Sequence, residues 1–221
     1  MTIVPTPDPA AFIAANLPLA PLASLPAIRL HRAWPASGLS RLLGEHGASP
    51  YWAYAWGGGL ALAAHVLARP ETVAGKRVLD LGAGSGLVAI AAMLAGASEV
   101  IAADIDPNAM AAIALNARAN GVAVTPLLAD LMGGPPPDVD IVLAGDVFYA
   151  PDVAVRSAAF LARCRAAGLE VLVGDPGRKD LPLDRLTRLA SYPVSDFADR
   201  PGEATGAAVY AFDAVSGAEL E

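Results

Sequence analysis

The chain has 221 residues, 55% of them hydrophobic and 17% charged, with a formal net charge of −7. That composition suits one globular domain and excludes a disordered chain, while the acidic balance argues against a broad nucleic-acid-binding surface. Mean hydropathy is positive at +0.47, but alanine supplies much of it, and no run reaches the roughly 18 uninterrupted apolar residues of a membrane-spanning helix.

Residues 1–45 are rich in Pro and Ala with little periodicity. They read as an extended or partly helical N-terminal arm on the substrate side of a main domain over 46–221. The start of the chain carries Asp8 and several prolines and has no early Lys or Arg, unlike a signal or transit peptide. A single cysteine, Cys164, excludes an internal disulfide, so a cytoplasmic location is expected. A monomer is favoured.

From Tyr51 onward, strands and helices alternate. A helix is expected over Gly59–Leu67, a strand over Arg77–Leu81, a helix over Leu87–Ala95 closed by Gly96, and a strand over Val100–Ala103. The next helix, Pro107–Asn120, is punctuated at both ends: Asp106 is a natural N-cap, Pro107 suits the first turn, and Gly121 suits a left-handed stop. A strand near Val122–Leu128, a Gly-Pro loop, and the strand Ile141–Ala144 follow. A helix over Asp152–Ala167, a strand over Val171–Val173, a helix over Arg185–Leu189 and two late strands, near Tyr192–Asp196 and Ala208–Phe212, complete the chain. Apolar, non-alternating strands separated by helices predict an α/β fold with a largely parallel sheet covered on both faces.

The strongest local signal is VLDLGAGSGLVAI, Val78–Ile90. A buried strand ends at Asp80, a turn carries Gly82, Gly84 and Gly86, and a helix begins. Glycines allow positive φ and close approach of backbone to a ligand, and the helix N-terminus offers N–H groups to an anion. The dinucleotide fingerprint G-x-G-x-x-G would place glycine at 87, where this chain has Leu87. The pattern D-x-G-x-G-x-G instead resembles that of S-adenosylmethionine (SAM) methyltransferases. A second acid at the next strand end should hold ribose hydroxyls; Asp104 stands there, with Ile105 beside it, and Asp106 is better explained as the helix cap. Asp130, followed by Leu131, ends the third strand, where such enzymes can receive the adenine amino group; a solvated turn residue is the competing reading.

A further oddity is GDVFYAP, Gly145–Pro151, in which a buried strand runs into a carboxylate and two aromatics. In a doubly wound sheet the ligand crevice lies beyond the carboxyl ends of the strands at the reversal of strand order. That puts Asp146, Phe148 and Tyr149 in the crevice of the glycine turn, on the side where a methyl group would emerge. A carboxylate beside ring faces suits an amine acceptor. The alternatives are that Phe148 is core and Tyr149 a loop anchor.

Together, SPYWAYAWGGGLALA (Ser49–Ala63), the glycine turn, ADIDPNAMAAIALNARANGV, GDVFY and VGDPGRKDLP resemble one family, the seven-strand protein-lysine methyltransferases acting on the electron transfer flavoprotein β subunit. The resemblance covers about Ser49–Pro182. It implies a Rossmann-like class I methyltransferase sheet with late antiparallel strands, SAM as cofactor, Trp56 beside the methyl donor, and Asp146 and Tyr149 of D-x-x-Y bordering a lysine channel. It also implies the flavoprotein β subunit as protein partner. Two departures stand out: Gly57 where proline commonly follows the tryptophan, and Asp180 where an aromatic is expected.

Transfer requires a neutral lysine, and deprotonation at pH 7 costs on the order of 4 kcal/mol. Asp146 would favour the ammonium, so its expected role is to position the nitrogen rather than to act as a strong base. The alternative acceptors are another protein, ribosomal proteins included, or a small-molecule amine; a non-catalytic SAM-binding module is a third reading. Nucleic-acid amine methylation is disfavoured because N/D-P-P-Y/F is absent after the fourth strand. His31, His46 and His65 have no ligand spacing, so no metal is expected. Cys164 falls on an apolar stripe with Phe160 and Leu161. Trp52 could line the acceptor groove or pack on the arm, and Arg178 could contact an acidic substrate or pair with a neighbouring carboxylate.

Overall fold

The computed structural model describes residues 7–44, 48–194 and 206–213. Its elements are α1 (Pro9–Asn16), β1 (Leu19–Pro21), β2 (Arg29–His31), α2 (Ser40–Leu43), α3 (Gly57–Ala68), β3 (Arg77–Leu81), α4 (Leu87–Leu94), β4 (Glu99–Asp104), α5 (Pro107–Ala119), β5 (Thr125–Leu128), β6 (Ile141–Gly145), α6 (Pro151–Ala166), β7 (Glu170–Asp175), β8 (Leu186–Tyr192) and β9 (Ala207–Phe212). Seven strands form one sheet in the order β5-β4-β3-β6-β7-β9-β8. The first five are parallel, and β9 runs antiparallel between β7 and β8. The order reverses between β3 and β6, so the crevice lies beyond the carboxyl ends of those two strands.

The strands read as continuous apolar runs because both faces are covered. Alternate residues divide cleanly: Val78, Ala102, Ile141, Leu143 and Leu172 join the core beneath α3, α4 and α5. Leu79, Leu81, Ala103, Val142, Ala144 and Val173 join the other core, with Phe160, Leu161 and Cys164 of α6. The period-2 pleat thus feeds two hydrophobic layers from one run of sequence.

Three glycines set how closely α3 sits on the sheet. A Cβ at Gly58 would lie 2.1 Å from the Gly174 carbonyl oxygen, and one at Gly145 would lie 2.9 Å from the Gly59 Cα. Only hydrogen at these positions lets the N-terminus of α3 reach the ends of β6 and β7.

Two expectations are corrected. Of the expected helix Arg185–Leu189, Arg185 ends a short 3₁₀ turn over Leu183–Arg185 and the rest is strand, the start of β8. β8 is an edge strand that pairs only with β9 and keeps most of its residues partly or fully exposed, so its apolar pattern is weak. Of the expected strand near Tyr192–Asp196, Tyr192 ends β8 and Asp196 lies outside the described residues.

The boundary at residue 45 does not separate an arm from a domain. Phe12, Ile13, Leu17, Leu22, Ile28, Leu30 and Leu42 are buried in the same core as α4 and α5. Asp8 caps α1 by accepting the Ala11 N–H at 2.9 Å, and the hairpin β1–β2 docks on α5 through two asparagines. Asn120 both accepts from and donates to the Arg29 backbone, at 2.9 and 2.7 Å, in the manner of a neighbouring strand. Asn116, fully buried, accepts the His31 N–H at 2.8 Å and donates to the Ser85 carbonyl at 2.9 Å. The hairpin is therefore tied directly to the glycine turn.

Candidate active site

β3 delivers Asp80 into the interior, where it is 2% exposed. The Oδ2 atom accepts the Ala89 N–H at 2.9 Å, which satisfies one of the orphan donors in the first turn of α4. Burial raises its pKa from 3.8 to about 7, opposed by that N–H donor and aided by the negative charge of Asp104. The turn that follows has positive φ at Gly82 (68°), Gly84 (52°) and Gly86 (80°), a run that side-chain-bearing residues would adopt only with strain.

β4 ends at Asp104, whose Oδ2 accepts the Gly84 N–H at 2.8 Å and whose Oδ1 accepts the Asp106 N–H at 2.9 Å. Burial pushes this carboxyl above its usual range against those backbone donors. Asp106 caps α5, accepting the Asn108 N–H at 2.8 Å, as its sequence position implied. Ile105 stands exposed at the rim, at 69%. Asp130 pairs with Arg156 and accepts the Met132 N–H at 3.1 Å; the arginine holds its carboxyl below the usual range. Leu131 packs partly on the second core.

β6 ends in Gly145 and Asp146. Among the described residues Asp146 is the one non-glycine with positive φ, at 60°, and a residue held there against its intrinsic preference is often functional. Its Oδ2 accepts the Gly59 N–H at 2.7 Å and its Oδ1 is paired with Arg178. Burial raises the Asp146 pKa, opposed by the Arg178 charge. Tyr149 is 46% exposed and its ring lies 5.2 Å from that of Tyr51. Tyr51 in turn lies 5.7 Å from Trp56, whose Nε1 donates to the Tyr51 carbonyl at 2.9 Å. Tyr54 flanks Trp56 at 6.0 Å.

One cleft of about 540 Å³ is bordered by most of these groups. Asp80, the glycine turn, Asp104, Ile105, Asp130, Leu131 and Trp56 line it together with Asp146 and Tyr149. The structure therefore brings together the site residues expected from sequence except two: Gly86 shapes the glycine turn without lining the cleft, and Phe148 lies in the core. Phe148 is fully buried in the second core and does not reach the cleft. The positive φ at Asp146 breaks the pleat alternation that would have put residues 146 and 148 on the same side.

Residues 62–145 match the family model described as ribosomal protein L11 methyltransferase (PrmA). A relative from Danio rerio, named electron transfer flavoprotein beta subunit lysine methyltransferase, is 46% identical over 153 residues, 66% of this chain and 59% of the relative. A relative of the same name from Homo sapiens is 44% identical over 131 residues, 58% of this chain and 50% of the relative. Over these segments the chain is similar to the electron transfer flavoprotein β-subunit lysine methyltransferases. The matched segments span between half and three fifths of these two relatives' lengths. A crystal structure from Pyrococcus horikoshii, assigned as an RNA methyltransferase, superposes with a TM-score of 0.56 at 20% identity, covering 72% of this chain and 83% of that one. This last similarity establishes the fold alone: a seven-strand class I methyltransferase sheet.

Sequence reasoning missed several groups in the cleft. Tyr51, Tyr54, Met132 and Arg156 line it, and only the cluster of aromatics before the glycine triplet could have flagged the first two. Trp52 both lines the cleft and packs in the core at 2% exposed, and its Nε1 is buried without a hydrogen-bond partner. Arg178 pairs with carboxylates, as one of its two readings had it. His31 contacts the Leu17 carbonyl and His65 the Tyr192 hydroxyl, while His46 lies outside the described residues. No cluster able to hold a metal ion occurs among the described residues. Burial raises the Cys164 thiol to about 11, which makes it a core residue rather than a nucleophile.

Proposed function

We propose that the chain transfers methyl groups from SAM to lysine ε-amines of a protein, with the electron transfer flavoprotein β subunit as its acceptor. The observation that carries this reading is the convergence of the Gly82–Gly86 turn and the Asp146–Tyr149 segment on one cleft.

The residues present fit a nucleoside bearing an amino-acid tail. The cleft volume of about 540 Å³ lies in the range of small-molecule sites. The glycine turn gives close backbone approach, Asp104 retains lone pairs for hydroxyls beyond its two backbone donors, and the Trp52 Nε1 is a buried, orphaned donor on a residue that lines the cleft. Trp56 and Leu131 supply apolar walls, and Asp130 an acceptor. SAM supplies a methyl group on a positively charged sulfur.

The chain's own part is to align and desolvate the acceptor. Tyr51, Tyr149 and Trp56 form an aromatic wall whose ring faces attract an ammonium. Partial exclusion of water at that wall lowers a lysine's pKa. Asp146, already engaged by Gly59 and Arg178, draws the amine to one place. Alignment of the reacting atoms then supplies most of the rate. The acidic chain and the lone, buried Cys164 support a basic protein partner, rather than a nucleic acid, in a cytoplasmic setting; no helix among the described residues is long and apolar enough to cross a membrane.

The family-model match over residues 62–145 favours a second reading, methylation of another protein such as a ribosomal protein. Incubation of recombinant flavoprotein β subunit with the chain and SAM, followed by peptide mass spectrometry, tests the first. Methyl increments on discrete lysines are expected. An unmodified β subunit, with label from SAM appearing on a ribosomal protein in lysate, would transfer the assignment to the second.

A further inference from the structure

Arg178 follows β7 in the turn Asp175-Pro176-Gly177-Arg178. Asp175 shapes that turn: its Oδ1 accepts the N–H groups of Gly177 and Arg178, each at 2.7 Å. Its other oxygen, Oδ2, is fully buried with no hydrogen-bond partner, yet lies 3.5 Å from Nη1 of Arg178. The same Nη1 atom is paired with Oδ1 of Asp146. One guanidinium thus faces two buried carboxylates and fully serves one of them.

This is an unbalanced cluster at the cleft. Asp146 and Asp175 are 12% and 0% exposed at their side chains, against one shared cation at 22%. Buried charge lacking a full partner is strongly disfavoured, so the cluster favours a second positive charge, taken up either as a proton or as a cation. Asp146 and Arg178 both line the cleft, and the position on Asp146 Oδ1 that an incoming ammonium would take is held by Arg178. A shift of the guanidinium by less than about 1 Å would bring Asp175 Oδ2 within hydrogen-bond distance, and a further swing of the side chain onto Asp175 would expose that position.

We propose that Arg178 is a two-position gate: it occupies Asp146 until an acceptor ammonium arrives, and then moves onto Asp175 so that Asp146 receives the substrate cation. Arg178 is in this sense a positioning residue, standing in for the substrate's charge and keeping a buried carboxylate paired in both states. The gate rests on the reading of the cleft as a lysine-accepting site.

The test uses the full chain saturated with S-adenosylhomocysteine and n-butylammonium as a lysine side-chain probe. Guanidinium NMR signals of Arg178, assigned by its substitution, are followed during titration of the wild type. They are expected to shift with the probe's binding curve, and signals that stay fixed while the probe binds, or the absence of probe binding, would overturn the gate. In Asp175→Asn the Asn oxygen can still accept the two turn N–H groups, but the second seat is replaced by a donor. Its probe dissociation constant is expected to rise about tenfold or more, as for truncation of a buried charge partner, with S-adenosylhomocysteine affinity held within about twofold. An unchanged probe affinity would count against the gate. Should this variant fail to fold, the wild-type titration decides alone. Methyl transfer with motionless Arg178 signals would retain the proposed function and remove the gate; a protein that methylates no lysine would remove the proposed function and the gate with it, even if Arg178 moved.

Discussion

Asp104 Oδ2 accepts the backbone N–H of Gly84 at 2.8 Å, so the acid expected to hold the ribose also fixes the shape of the glycine turn. The end of β4 and the loop after β3 are thereby one unit. Asp104→Ala removes both a hydroxyl acceptor and the pin on Gly84. It is expected to weaken S-adenosylhomocysteine binding by roughly 2–4 kcal/mol, the range for losing charged hydrogen bonds in a buried setting. Isothermal titration calorimetry checks this, and an affinity within threefold of wild type would remove Asp104 from the cofactor site.

Asp80 offers a test through pH. Its folded-state pKa of about 7 lies above the unfolded value of 3.8, so the folded state holds the proton more tightly. The stability this provides is complete below pH 3.8 and is lost as pH rises through about 7. In Asp80→Asn, where the amide oxygen can still accept from Ala89, that component disappears. Urea unfolding at about pH 5 and pH 8 should show wild type losing up to roughly 3 kcal/mol more than the variant across that interval. Parallel pH slopes would show that Asp80 is ionised throughout.

Gly58 and Gly59 are neighbours with opposite tolerances. A Cβ at Gly58 meets the Gly174 carbonyl at 2.1 Å and Asp146 Oδ2 at 2.8 Å, whereas one at Gly59 meets nothing nearer than 3.8 Å. Gly58→Ala is expected to destabilise by about 3 kcal/mol or more through overpacking against backbone. Gly59→Ala should be neutral or stabilising by up to about 1 kcal/mol from helix propensity. Thermal unfolding of the two variants compares them directly, and similar melting temperatures would contradict the close approach of α3 to β7.

Asp146 must be probed with its backbone in mind. Asparagine tolerates left-handed φ nearly as well as aspartate and alanine does not, so Asp146→Asn is the informative change. It should lower kcat/KM for the acceptor by about 100-fold or more, near 3 kcal/mol, with S-adenosylhomocysteine affinity nearly intact. Asp146→Ala should add a stability loss of about 1 kcal/mol from strain. Phe148, being core, should behave differently: Phe148→Leu retains turnover, and Phe148→Ala loses about 3–5 kcal/mol of stability. Selective loss of kcat in a stable Phe148→Leu would return Phe148 to the site.

Local features of this fold were legible in the sequence because they obey local rules. The Asp80-to-Gly86 turn, the Asp106-Pro107 helix start and the acid at the end of β4 each depend on residues close in the chain. What escaped depends on partners far away. Gly58 is needed because Gly174 lies opposite, and no pattern within residues 57–59 reports that. β8 carries a partly polar, edge-strand pattern that only its pairing with β9 resolves. The first 45 residues lack a helical or strand period, and the β1–β2 hairpin within them is docked by Asn116 and Asn120 on α5. Phe148 was misplaced because the reversal of backbone handedness at Asp146 cannot be read from an Asp following a Gly.

A crystal structure of the full chain with S-adenosylhomocysteine tests the central claim most directly. The ribose is expected at Asp104, the amino-acid tail along the Gly82–Gly86 turn, and the sulfur turned toward Asp146 and Tyr149 across the same cleft. A ligand bound elsewhere, or a sulfur facing away from the end of β6, would contradict the joint donor–acceptor site.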